Sequence, residues 1–124
     1  PSMLDTVAPQ MIKVDHPAPF MTFTFEVAEE WKTRVPEVVH EDGTSRAQVL
    51  KREYNPRYYD MMKALEVLTG NGVSLNTSLN RRGEPMVCSP TDALNMFFGS
   101  DLQYLIMEDI LVVKDGADAY DSLD

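Results

Sequence analysis

The stretch NPRYYDMMKALEVLTGNGVSLNT, Asn55 to Thr77, decides the fold class. Asn55 has a side chain suited to capping a helix, and Pro56 has its φ preset for the first helical position. Tyr58, Met61, Met62, Leu65 and Leu68 then recur at helical spacing, and Gly70-Asn71-Gly72 closes the helix. Val73 to Thr77 follows at once as a short strand. A helix passed so quickly to a strand asks for layered packing of the two.

Working outward, the downstream half alternates in the same way. Ser89-Pro90-Thr91-Asp92 opens a second helix, with Ser89 as cap, Leu94, Phe97 and Phe98 as apolar face, and Gly99 as its stop. Leu102 to Met107 and Ile110 to Val113 read as two strands or one interrupted strand, and the acidic tail 115–124 reads as frayed. Upstream, Val38 to Leu50 reads as a hairpin around Asp42-Gly43. A helical turn from Ala28 to Thr33 ends before Pro36. Met21, Phe23, Phe25 and Val27 alternate with polar residues, the period of a half-buried strand. Ser2 to Met11 has Met3, Leu4, Val7 and Met11 on one helical face, against the objection of Pro9. Pro17 and Pro19 enforce extended backbone. The expected fold is α/β, a mixed α+β layered sheet with flanking helices, over residues 1–114.

At 124 residues the chain fits one domain, and 44% hydrophobic with 25% charged residues is ordinary for a globular protein. The net charge of −9 argues against non-specific binding to nucleic acid or to an anionic membrane. It leaves open a small anionic ligand, which needs only a few aimed donors. No apolar run is long enough to span a bilayer, and no secretion signal opens the chain. Cys88 is the one cysteine, so neither an internal disulfide nor a cysteine zinc site is possible. A cytoplasmic protein is the simplest expectation.

Two segments combine turn residues, small polar side chains and arginine. The first is His40-Glu41-Asp42-Gly43-Thr44-Ser45-Arg46-Ala47-Gln48, where Arg46 and Gln48 should share one strand face. An arginine fork suits phosphate or carboxylate, but composition alone favours a surface hairpin with a solvated arginine. The second runs from Asn76 through Thr77, Ser78, Leu79, Asn80, Arg81 and Arg82 to Gly83-Glu84-Pro85. Ser78 and Asn80 can face one side, and the paired arginines stand out in so acidic a chain. Loops leaving the carboxyl end of a strand are favoured ligand positions. An ordinary polar turn is the alternative.

Other signals are absent. No Gly-rich phosphate loop or dinucleotide fingerprint occurs. His16 and His40 lack partners at metal-ligand spacing, and Cys88, beside Met86 and Val87, reads as a buried inert thiol. The acids Glu29-Glu30 and Glu41-Asp42 read as solvated.

Taken together, these segments resemble the nodulation-factor, cephamycin and aminoglycoside O-carbamoyltransferase family. The matching stretches are Ala18-Pro19-Phe20-Met21, His40 to Gln48, Asn55-Pro56-Arg57-Tyr58-Tyr59, and Leu75 to Asn80 running into Arg82-Gly83-Glu84-Pro85-Met86-Val87-Cys88-Ser89-Pro90. The resemblance implies a two-domain enzyme. Its N-terminal domain carries a metal, which is not in this chain, and moves the carbamoyl group to an acceptor hydroxyl. Its C-terminal domain is YrdC-like, similar to the threonylcarbamoyl-adenylate synthases, and forms carbamoyl-adenylate from carbamoyl phosphate and ATP with Mg2+. This chain is expected to be a partial domain of that second kind, with no nucleic-acid or membrane partner. Arg46 occupies an Asp-Gly-Thr-x-Arg position and Ser78-x-Asn80 a Ser-x-Asn element. The resemblance implies Arg46 and Ser78 as catalytic residues. It implies ligand binding by Arg46, Gln48, Asn76, Thr77, Ser78, Asn80 and Arg82, around a single anion. In the family a Lys/Arg-rich segment precedes the stretch matching Pro1-Ser2, and Leu79 replaces an aromatic residue. The isolated chain is therefore expected to be inactive. A non-catalytic phosphate- or nucleotide-binding module is the alternative, and an RNA-precursor-modifying relative a weaker one.

Overall fold

The computed structural model describes residues 1–116, so the tail read as frayed lies outside the described residues beyond Gly116. The chain divides into two compact units, Pro1–Asn76 and Thr77–Asp124. Both mix helices with sheets, the α/β class expected from the alternation.

The first unit contains β1 (Ser2–Leu4), α1 (Ala8–Met11), β2 (Phe25–Glu26), α2 (Glu29–Arg34), β3 (Thr44–Ser45), β4 (Gln48–Leu50), α3 (Pro56–Thr69) and β5 (Val73–Ser74). Strand β1 is the centre of a three-stranded sheet in the order β4-β1-β5. It pairs in parallel with β4, Ser2 opposite Gln48, and antiparallel with β5, Ser2 opposite Ser74. A central strand buried on both faces carries a continuous apolar run, and Met3 and Leu4 are both 0% exposed. They join Val7, Met11, Phe25, Trp31, Leu50 and Met62 in one core.

Helix α3 is set by its ends. The Asn55 side chain accepts from the Tyr58 N–H, and Gly70 takes the left-handed conformation at φ 74°. The Arg34 guanidinium donates to the Gly70 carbonyl and lies 4.4 Å from the centre of the Trp31 ring. The Tyr59 hydroxyl donates to Asp5 Oδ1 at 3.0 Å. Gly70→Ala forces a Cβ into positive φ and is expected to destabilise by about 1 kcal/mol, read by urea denaturation.

Several elements differ from expectation. Ser2 to Met11 is a strand followed by one helical turn, because the Ser2–Leu4 backbone bonds to strands on both sides and Pro9 sits at the start of α1. Phe20 to Val27 does not form one strand: Phe23 is half exposed, and only Phe25 and Val27 of the alternating set are buried. Phe23 meets His16 edge-on instead, with ring centres 4.6 Å apart. Val38 to Leu50 is not a hairpin, since Val38 ends a 3-10 turn and β3 pairs with β2. On α3 only Met62 of the apolar set is buried, and Leu68 is 84% exposed.

The second unit holds α4 (Pro90–Phe98), β6 (Tyr104–Met107) and β7 (Ile110–Val113). The two strands form an antiparallel hairpin, resolving the alternative of one interrupted strand. Phe97 is 0% exposed and anchors a core with Ala93 and Leu105, whereas Phe98 is exposed. Ser89 caps α4 as its sequence asks: its Oγ accepts from the Asp92 N–H at 3.1 Å and donates to Asp92 Oδ2 at 2.7 Å. Cys88 is exposed rather than buried, its thiol 3.6 Å from Asp92 Oδ2.

The Ser89 hydroxyl first, and the Cys88 thiol second, hold the Asp92 carboxyl below its ordinary value of 3.8. A depressed carboxylate stabilises the fold above its unfolded pKa, and that contribution is lost as pH falls through the folded value. Ser89→Ala removes the helix cap and should cost about 1 kcal/mol near neutral pH. The gap to wild type should narrow as the pH drops below 3.8, read from paired denaturation curves.

Candidate functional site

In the first unit the Asp42-Gly43 turn aims Arg46. Asp42 Oδ1 accepts from the Thr44 hydroxyl at 2.7 Å and from the Thr44 N–H at 3.0 Å, holding the Asp42 carboxyl below its ordinary value. Gly43 supplies the left-handed φ of 80° that the reversal needs. Ser45, buried after the turn, donates from Oγ to the Val38 carbonyl at 2.8 Å. Ser45 and Ala47 are buried while Arg46 is exposed and Gln48 half-buried, so Arg46 and Gln48 do lie on the outward side of this segment. Among the described residues nothing forms a hydrogen bond or ion pair with the Arg46 guanidinium.

Gln48 and Asn76 come together around Ser2. Ser2 Oγ donates to Gln48 Oε1 at 2.9 Å and accepts from Asn76 Nδ2 at 2.9 Å, while Gln48 Nε2 donates to the Pro19 carbonyl at 3.2 Å. Asn76 Nδ2 also lies 3.5 Å from Gln48 Oε1. Gln48 borders a cavity of about 620 Å³ lined also by Phe20, Leu50, Tyr54, Asn55 and Tyr58. Ser2 is the residue that sequence reasoning missed. It lay in a segment read as helical, where its side chain has no cross-strand neighbours.

The second unit carries the Ser-x-Asn loop. Ser78 Oγ donates to Asn80 Oδ1, and Asn80 Nδ2 donates to the Arg81 and Glu84 carbonyls, both at 3.0 Å. Asn80 therefore holds the turn that passes through Gly83, whose φ is 84°. The two arginines part company. Arg81 Nη2 donates to the Asn95 carbonyl at 2.6 Å, where a cation suits the negative end of the α4 dipole. Arg82 is exposed and, among the described residues, makes no hydrogen bond or ion pair. Thr77 and Ser78 are exposed. Of the seven expected site residues, Arg46, Gln48 and Asn76 thus belong to the first unit, and Thr77, Ser78, Asn80 and Arg82 to the second.

Both histidines are exposed: His40 Nδ1 is 3.1 Å from Thr44 Oγ1, and His16 contacts Asp15. Among the described residues no group of three or more His, Cys, Asp or Glu side chains converges to hold a metal. Among the same residues no helix is long and apolar enough to cross a membrane.

Among the described residues, then, Arg46 stands unpaired on a fixed turn of the first unit and Arg82 unpaired on the polar loop of the second. Comparison with known proteins then decides the family: residues 1–114 match the carbamoyltransferase C-terminus. The chain belongs to that family. An uncharacterized protein of Synechocystis sp. is 33% identical over 92% of this chain and 22% of its own length. Nodulation protein NolO of Bradyrhizobium diazoefficiens is 38% identical over 83% of this chain and 19% of its own length. Nodulation protein NolNO of Sinorhizobium fredii is 38% identical over 77% of this chain. This carbamoyltransferase C-terminus spans about a fifth of the length of the Synechocystis and Bradyrhizobium relatives.

Proposed function

We propose that this carbamoyltransferase C-terminus is the part of an ATP-dependent O-carbamoyltransferase that binds carbamoyl phosphate and ATP and forms carbamoyl-adenylate. Its domain is YrdC-like, it works in the cytoplasm, and an N-terminal domain of the same protein passes the carbamoyl group to an acceptor hydroxyl. The observation that carries the reading is the Arg46 guanidinium, unpaired among the described residues and presented by an Asp-Gly-Thr turn, in a chain of this family.

In the reaction, water cleaves carbamoyl phosphate to carbamate and inorganic phosphate; a carbamate oxygen then bonds to the α-phosphorus of ATP, and the bond from that phosphorus to pyrophosphate breaks. Negative charge builds on the equatorial oxygens and on the leaving group. Donors fixed before the reaction stabilise that charge without reorganising, and an arginine fork supplies two of them in one plane. Arg46 and Ser78 act as the catalytic residues on this reading, Arg46 as the preset donor and Ser78 by turning to the ligand the proton it otherwise gives Asn80 Oδ1. Gln48, Asn76, Thr77, Asn80 and Arg82 bind substrate or nucleotide, and Mg2+ enters with the ATP phosphates. Asn80 serves chiefly through the turn it holds, since the Arg81 and Glu84 carbonyls take its amide donors.

Ligand-induced stabilisation of the full-length protein tests this. At a ligand concentration 100 times its Kd, carbamoyl phosphate or ATP should stabilise by about 2.7 kcal/mol, seen as a raised Tm. Neither ligand raising the Tm would count against the reading.

A further inference from the structure

We propose that Ser2 is a positioning residue whose hydroxyl sets the direction of a hydrogen-bond relay, so that Asn76 presents its carbonyl oxygen to a ligand N–H. The inference rests on the reading of a carbamoyl-phosphate site and names what selects the carbamoyl amino group there.

The direction follows from donor and acceptor chemistry alone. Pro19 contributes a backbone carbonyl, which can only accept. Gln48 must therefore offer Nε2 to it, at 3.2 Å. That turns Gln48 Oε1 toward Ser2, and an amide oxygen can only accept, so the one Ser2 hydroxyl proton goes to Gln48 at 2.9 Å. Ser2 Oγ has only lone pairs left for its second neighbour. Asn76 must meet it with Nδ2, as it does at 2.9 Å. Each link fixes the next, and the last places Asn76 Oδ1 at the far end. Among the described residues no donor reaches that oxygen, and it is not among the buried atoms lacking a partner. It is an accessible acceptor held in one orientation.

The relay can hold that orientation because its middle does not move. Ser2 is 0% exposed in the central strand, its backbone in register with Gln48 on one side and Ser74 on the other. A side chain with no water to turn to keeps its proton where the relay puts it. Two rotatable amides are thus locked by one hydroxyl between them.

An acceptor with one fixed orientation discriminates between ligands of equal shape. Carbamoyl phosphate carries an amino group where acetyl phosphate carries a methyl. The amino group donates to Asn76 Oδ1, while the methyl would strip water from that oxygen and give nothing back. The expected preference for carbamoyl over acetyl phosphate is about 10- to 100-fold.

The test has two arms. In the full-length protein, KM for carbamoyl phosphate and Ki for acetyl phosphate are measured by pyrophosphate release, with KM for ATP alongside. Wild type should show Ki for acetyl phosphate about 10- to 100-fold above KM for carbamoyl phosphate. Ser2→Ala should bring the two together and leave KM for ATP within about twofold. Asn76→Ala, at a half-buried position, should likewise bring Ki for acetyl phosphate and KM for carbamoyl phosphate together, and stands in if Ser2→Ala fails to fold. A variant that weakens ATP and carbamoyl phosphate in parallel with the preference kept overturns the proposal. In the second arm, the side-chain amide of Asn76 is followed by 15N NMR in this chain. One Nδ2 proton should be protected from exchange in wild type and neither in Ser2→Ala; unchanged protection overturns the relay whatever the enzymology shows. Wild type with no turnover dependent on carbamoyl phosphate would instead sink the function reading, leaving the relay to the NMR result.

Discussion

Phe97→Ala is expected to destabilise the second unit by about 3–5 kcal/mol, the cost of removing a fully buried ring and leaving a cavity. Phe97 is 0% exposed and, among the described residues, is the one large aromatic in a core otherwise made of Ala93, Leu105 and half-buried neighbours such as Leu79, Val87 and Met107. The Lys114 ammonium lies 4.8 Å from its ring centre, and that contact is lost too. Small units have little apolar surface in reserve, so neighbours collapse only partly into the space. The adjacent Phe98 is the control. It is 64% exposed and packs at the edge of Phe97 with ring centres 5.2 Å apart. Phe98→Ala should cost under about 1 kcal/mol. Urea denaturation of the two variants, followed in signals from α4 and the β6-β7 hairpin, checks the contrast. Equal losses would mean that the core is placed wrongly.

Arg46→Ala is expected to lower adenylate formation by about 10²- to 10³-fold while changing stability by less than about 0.5 kcal/mol. The two halves of that expectation have separate grounds. Arg46 is exposed and, among the described residues, free of hydrogen bonds and ion pairs, so its removal orphans nothing in the fold. Its turn is fixed by Asp42 and Thr44 rather than by the guanidinium itself. The positive charge is thus available to a substrate oxygen. Arg46→Lys keeps the charge but loses the planar fork, and should recover only part of the rate. A variant with normal kinetics and a lowered Tm would reassign Arg46 to the fold.

The parts of the fold legible in the sequence were those fixed by local chemistry. Asn55-Pro56 and Ser89-Pro90 each carry a cap and a preset φ within adjacent residues, and both helices begin there. Gly70 and Gly99 end them as read. The sheet of the first unit was harder to read. Ser2-Met3-Leu4 is apolar enough for a helix or a buried strand, and only its distant partners at Gln48 and Ser74 decide between them. The alternation from Phe20 to Val27 signals a strand, yet a strand needs a partner, and only its end finds one: Phe25 and Glu26 in Ser45 and Thr44, and Val27 in a single bridge to Ile12.

The candidate site divided in the same way. The Asp-Gly turn and the polar loop after Asn76 could be read from residue types that favour turns. What each polar side chain does there could not. Arg81 and Arg82 are chemically alike and adjacent, yet Arg81 is committed to the end of α4 while Arg82 is free. Asn80 turned out to hold its own loop. Ser2 became visible only once the strand register set it between Gln48 and Asn76.

Everything functional here depends on one claim, that this chain's fixed donors serve chemistry between carbamoyl phosphate and ATP. The most direct test is pyrophosphate release from ATP by the full-length protein, measured with and without carbamoyl phosphate and in the absence of any acceptor. The account predicts release that starts on adding carbamoyl phosphate. Release that ignores carbamoyl phosphate, or none under either condition, would contradict it.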